Sequence, residues 1–356
     1  MKKLEYLPSL DGIRAIAVLI VFFSHLPLGF SSFIPGGFGV TIFFFLSGFI
    51  ITTLMRLEYE NTGELSLKKF YLRRICRIFP PLYIVLTIAL MAGYFNLLDT
   101  SYTTLGALSS FLHITNYYVI FFDPEVTTLL PGMDVTWSLA VEEHFYLLFP
   151  LLFVLARIRL NNRQLSRLLI LICVAVLAWR FYLYAQEDFF PRRIFWGTVA
   201  RFDSILYGSI LALTCNPAFE SSSSKTDQPN HWFVVLLVLA LGILIVTLVP
   251  RNHLFREVFR YSIQGVCLMP VFYMAVKWSR FGIFRILNTW AMRWLGRLSY
   301  SFYLCHRLTI QFCFQYCDVN PVMIVTSAFA ISILFSLLMY FSVEKQMAGL
   351  RKRLHS

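Results

Sequence analysis

The stretch LDGIRAIAVLIVFFSHLPL, residues 10–28, decides how the rest of the chain is read. It is long and apolar enough to cross a bilayer as a helix, yet it carries two basic side chains, Arg14 and His25. Eleven residues at about 100° each bring the two almost back to one helix face. A charged side chain in hydrocarbon costs roughly 2.5–3.5 kcal/mol on insertion scales, so a segment that keeps both, with Asp11 one turn before Arg14, must offset that cost with buried partners or water. Such groups mark a substrate path.

Outward from this helix the composition is of one kind. Of 356 residues 58% are hydrophobic, 14% are charged and 36 are phenylalanine, and the mean hydropathy is +0.67. These values exclude a soluble globular domain and predict an all-α, polytopic membrane protein. A net charge of +12 would suggest nucleic acid in a soluble chain; here it reads as basic loops held against an anionic cytoplasmic leaflet, and no nucleic-acid partner is expected. Seven cysteines form no C-x-x-C and no cluster with histidines, so neither a disulfide framework nor a metal site is expected. Lys2 and Lys3 are followed by Glu5 and Asp11 with no small-residue cleavage site, which favours a retained first helix.

Spanning runs fall at 10–28, 38–55, 78–97, 137–156, 168–185, 196–214, 232–249, 257–276, 297–316 and 322–343. This predicts a bundle of about ten transmembrane helices, residues 1–356 as one integral membrane domain, with both termini cytoplasmic. That arrangement puts 22 Lys and Arg in the cytoplasmic segments against four outside. Counting residues 101–122 as another crossing would invert every later loop, so that stretch is expected to be interfacial or re-entrant on the non-cytoplasmic side. A serine-rich, flexible cytoplasmic linker is expected at about 216–230. The chain is read as multi-pass.

Three constellations could carry chemistry. Arg14 lies near the cytoplasmic end of the first helix and His25 roughly 16 Å farther out. Glu142 and Glu143 of WSLAVEEHFYLLFP enter from the outer end to a similar depth, where a carboxylate could orient His25 as a general base. A membrane histidine is also a common packing residue, and His144 and His306 lie within spans as well, so the histidine is not unique on these grounds. The second is KKFYLRRICRIFPPLY, residues 68–83, where Arg73, Arg74 and Arg77 precede Pro80 and Pro81. A positive-inside anchor explains these charges without a ligand; forked donors on one face also suit a phosphorylated ligand entering from the cytoplasm. The third, GGFGVTIFFFLSGFI from Gly36 to Ile50, reads mainly as tight helix packing through small residues. Arg201 and Asp203, with Tyr300, Tyr303, His306 and Arg307, are further intramembrane polar groups, divided between networks and packing.

Taken in order, DGIRAIAVLIVFFSH, GGFGVTIFFFLSGFIIT, FYLRRICRIFPPLY, WSLAVEEHFYLLFP, RFDSILYGSILAL and LGRLSYSFYLCH resemble the membrane acyltransferase-3 family over nearly the whole chain. The resemblance implies a ten-helix integral O-acyltransferase of a bacterial cytoplasmic (inner) membrane that moves an acyl group, usually acetyl, from cytoplasmic acetyl-CoA to a hydroxyl of a glycan or other acceptor. Arg14 and His25 match the family's essential pair, Arg74 and Arg77 its R-x-x-R, and Glu142 its acidic residue in W-S-L-x-x-E. Thr41 stands where many members have Asp, His144 where they have Gln, and Arg307 and Leu308 where a proline follows the YL-x-H histidine. Some relatives carry an extra esterase-type domain, so delivery here is expected to proceed without it or with a separate protein.

The mechanism expected is docking of acetyl-CoA among Arg14, Arg73, Arg74 and Arg77, threading of its pantetheine arm, and transfer at His25, either by base catalysis or through an acyl-histidine. The rival class is a proton-coupled glycan-precursor transporter or flippase, which would use similar intramembrane Arg, His and Glu. The acceptor, the acyl chain length and the oligomeric state are not legible.

Overall fold

A computed structural model describes residues 5–186, 189–219, 228–249, 252–317 and 320–353, and among these it is helical with no strand. The helices are α1 (Pro8–Ser24), α2 (Gly36–Thr62), α3 (Leu67–Tyr94), α4 (Thr104–Phe111), α5 (Thr115–Phe121), α6 (Thr136–Arg157), α7 (Asn162–Tyr184) and α8 (Pro191–Phe195). They continue with α9 (Thr198–Thr214), α10 (His231–Leu248), α11 (Arg260–Lys277), α12 (Phe284–Leu287), α13 (Trp290–Tyr316), α14 (Pro321–Met339) and α15 (Lys345–Arg353).

Each of the ten expected crossings coincides with a helix. Among the described residues, six segments are long and apolar enough to cross a membrane: Gly36–Thr62, Leu67–Tyr94, Met133–Arg157, Asn162–Tyr184, His231–Leu248 and Pro321–Leu350. The other four helices at expected crossings are shorter or more polar: α1 and α9 have 17 residues each, while α11 holds Arg260 and Gln264 and α13 holds Arg297, His306 and Arg307. Residues 101–122 hold no helix long enough to cross a membrane. They make α4 and α5, of eight and seven residues, broken at His113, whose φ of 57° no helix tolerates. Of the expected linker at 216–230, residues 220–227 lie outside the described residues.

The chain groups into two compact units. One comprises residues 1–17, 37–65 and 144–296; the other comprises 18–36, 66–143 and 297–356. In the first, α2 and α9 approach at their glycines: a Cβ on Gly48 would lie 1.9 Å from the Ile205 carbonyl oxygen, and one on Gly208 equally close to that of Phe45. This is the tight packing expected of the small residues in α2. The unit's buried polar centre is Arg180 of α7, which donates two parallel hydrogen bonds to Asp203 of α9 at 2.9 and 2.8 Å, and others to Ser262, the Val258 carbonyl and the Ala200 carbonyl. Both side chains are fully buried, and every polar edge finds a partner.

In the second unit an aromatic cluster of Phe22, Phe302 and Phe329, with ring centroids 5.5–5.7 Å apart, packs the end of α1 against α13 and α14. The prolines expected to open the third span lie inside one continuous helix, α3. Neither proline has an N–H to donate, so the helix's own hydrogen-bond ladder is weakened here, and beside it Tyr300 of α13 donates to the Ile78 carbonyl at 2.7 Å.

Candidate active site

The second unit brings His25 to His306. Their Nδ1 and Nε2 atoms lie 3.0 Å apart, and His306 Nδ1 is 2.7 Å from the carbonyl oxygen of Tyr303 on its own helix. A carbonyl only accepts, so His306 carries its proton on Nδ1 and, when neutral, presents a lone pair at Nε2. His25 must then donate from Nδ1, which leaves His25 Nε2 as an acceptor. The chain of carbonyl, imidazole and imidazole therefore selects the tautomer a general base requires. His306 is completely buried, whereas His25 is half-buried just beyond the last turn of α1.

The carboxylate at this level is Asp134. It accepts from Arg307 Nε at 3.1 Å, and its charge acts on both His25 and His306. A tight turn makes this possible. Gly132 adopts φ 67° before the 3-10 turn Met133–Val135 that leads into α6, and a Cβ there would sit 2.6 Å from the backbone nitrogen of Leu308. Only glycine allows both the left-handed backbone and that approach. Ser138, one turn on, shares a 2.6 Å hydrogen bond with Tyr303, which joins the start of α6 to α13.

Glu142 and Glu143 were expected to orient His25. The hydrogen-bond partner of His25 is instead His306, and the two glutamates lie deeper along α6, Glu143 in electrostatic range of Glu142 and Arg74. Their expected depth beside His25 follows from starting the fourth span at residue 137. The turn at residues 133–135 precedes that start, and it is Asp134 in this turn whose charge acts on the histidines. Tyr300 lies within reach of the charges of Glu142, Glu143, Glu344 and Arg77, and Ser301 donates to Glu344. The basic turn of α3 thus faces carboxylates, and Arg74 also stacks over Phe70 at 5.6 Å. Arg73, Arg74 and Arg77 are all half-buried.

Arg14 belongs to the other unit, where it donates to Asp11 at 3.0 Å, one turn earlier on α1. His144 is in that unit too, 2.8 Å from the Thr198 hydroxyl. This separates the three candidate histidines: His25 and His306 form a pair, and His144 has a different partner. Sequence reasoning missed Asp134 as a site residue. The signal was present as PGMD, a glycine turn with an acid immediately before an apolar helix.

A family model described as an acyltransferase domain, of the acyltransferase-3 type, matches residues 7–341. The chain belongs to this family. It is 28% identical over 354 residues to a Staphylococcus aureus (strain COL) protein named "Putative O-acetyltransferase", covering 96% of this chain and 57% of that one. It is 30% identical over 313 residues to the peptidoglycan O-acetyltransferase OatA of Listeria monocytogenes, covering 85% of this chain and 49% of the relative. The chain spans about half the length of these curated relatives. No solved structure matches it.

Proposed function

We propose that this acyltransferase-3 protein is a multi-pass O-acetyltransferase of a bacterial cytoplasmic membrane, moving acetyl from acetyl-CoA to a hydroxyl of a cell-wall or other surface glycan. The observation that carries the reading is the His25–His306 pair, which holds Nε2 of a half-buried imidazole as a lone-pair acceptor. The peptidoglycan O-acetyltransferase name of a relative supports a glycan acceptor.

In this proposal the phosphate end of acetyl-CoA docks on Arg74 and Arg77, displacing the carboxylates that now face them. Asp134, in charge range of His25, and Glu143, in charge range of Arg74, are nine residues apart on one segment, about 14 Å at 1.5 Å per residue, which sets the length the pantetheine arm bridges. At the far end His25 Nε2 takes the proton of the acceptor hydroxyl as its oxygen attacks the thioester carbonyl. The C–S bond then breaks, and the departing sulfur receives that proton from His25. Arg307, held by Asp134, is the cation placed to stabilise the developing oxyanion. Membership of an acyltransferase family favours this reading over a carrier.

Membranes containing the protein, given acetyl-labelled acetyl-CoA and peptidoglycan fragments, test it. Label recovered on the glycan as an alkali-labile ester is the expected result. Label that stays on CoA, or that only becomes enclosed in vesicles, would refute it.

A further inference from the structure

Arg201, near the start of α9 in the first unit, is fully buried. Its faces are covered by rings, with Tyr261, Phe44 and Phe195 centred 3.9, 5.4 and 5.5 Å from the guanidinium carbon. Its Nη2 donates to the Thr41 hydroxyl at 2.9 Å. Among the described residues, Nε and Nη1 have no hydrogen-bond partner. Aromatic faces satisfy a guanidinium from above and below but offer nothing in its plane, where its N–H groups point.

The carboxylate nearest in charge is already engaged. Asp203 accepts the fork of Arg180 and a third hydrogen bond, from Ser262 at 2.8 Å. Arg260, at the start of α11, adds a second positive charge acting on Arg201. It stacks 5.0 Å from the Tyr261 centroid and donates to that tyrosine's hydroxyl, yet its own Nε is buried and unpartnered. Glu257, one turn back, is taken by Arg256 at 2.6 Å. Three arginines thus surround Tyr261 with one carboxylate between them, and two of the three hold unused donors.

We infer that Arg201, with Arg260 beside it, is an anion-binding site that takes one small oxyanion, a carboxylate or a phosphate, in the plane of the Arg201 guanidinium. Arg260 is half-buried and so the more accessible of the two, while the rings cover the faces of the Arg201 guanidinium and leave its in-plane donors for the anion. This site lies within the first unit and does not depend on the acetyl-transfer reading, so either can fail without the other.

The test uses the full chain in detergent, its thermal unfolding followed while sodium phosphate, sodium acetate or sodium chloride is added at matched ionic strength. A saturable rise of about 2 °C or more with phosphate or acetate, beyond the chloride curve, is expected. Phosphate as the effective ion identifies a phosphomonoester or lipid phosphate as the natural group, and acetate identifies a carboxylate. Arg201→Lys, which keeps the charge but loses the planar fork, should raise the half-saturating concentration about tenfold. Arg201→Gln should abolish the effect, and Arg260→Gln, at a more exposed position, should weaken it. Three coincident curves in the wild-type protein, or an unchanged titration in Arg201→Lys, would overturn the inference even if Arg201→Gln fails to fold.

Discussion

At His25 the quantity that matters is which ring nitrogen holds the proton, and His306 decides it. Replacing His306 by Phe removes the acceptor for His25 Nδ1–H and frees the tautomer. The acetyl-transfer kcat should fall by about 10²-fold with the KM for acetyl-CoA unchanged, because His306 acts through His25 and touches no donor phosphate. His306→Gln restores an acceptor oxygen and should recover part of the loss; equal activity in the Phe and Gln variants would show that the pair has no orienting role. Gly132 is the second residue-scale test. Gly132→Ala forces a Cβ into the backbone of Leu308 at a left-handed position and should lower stability by about 1–3 kcal/mol, read as a reduced unfolding temperature in detergent. Neither the pairing of histidines 281 residues apart nor the role of Asp134 was legible in the sequence, because helical periodicity reports the face of one helix and says nothing about which face it meets. The polar residues of LGRLSYSFYLCH were visible, but their partners were not.

At the scale of elements, α7 and α9 are locked by the Arg180–Asp203 fork. Asp203→Ala would leave a guanidinium buried with no counter-charge, and a loss of about 3–5 kcal/mol is expected, seen as poor yield of folded protein or a strongly lowered melting point. The turn after α5 depends on pH. Burial alone would raise the Asp123 carboxyl, but hydrogen bonds from the backbone N–H groups of Thr127 and Thr128 and from the Thr127 hydroxyl outweigh it and hold the group below its usual value of 3.8. A depressed carboxylate stabilises the fold above the unfolded value, and that contribution is lost as pH falls through the folded one. Residues 123–128 should therefore lose hydrogen-exchange protection, corrected for intrinsic rates, below about pH 3.8, and Asp123→Asn should lose it already at neutral pH. Unchanged protection in the variant would contradict this. The helices themselves were readable because hydrocarbon forces every backbone group into a local ladder, so apolar runs and helices coincide. Their ends were less so: the prolines at 80 and 81 read as the start of a span but sit inside α3, and the turn before α6 hid among loop residues.

For the whole molecule, composition was enough to read an all-helical membrane chain, and six helices meet the length and apolarity of a crossing among the described residues. The expected Arg14–His25 axis depended on one helix alone, and the structure gives its two ends separate local partners, Asp11 and His306. The account therefore rests on chemistry within the unit that holds His25, His306, Asp134 and the α3 arginines. The measurement that tests it most directly is single-turnover transfer of labelled acetyl from acetyl-CoA to glycan by wild-type protein and His25→Ala, compared at equal amounts of folded protein. The account predicts a loss of about 10²–10⁴-fold in the variant. Transfer at the wild-type rate would contradict it.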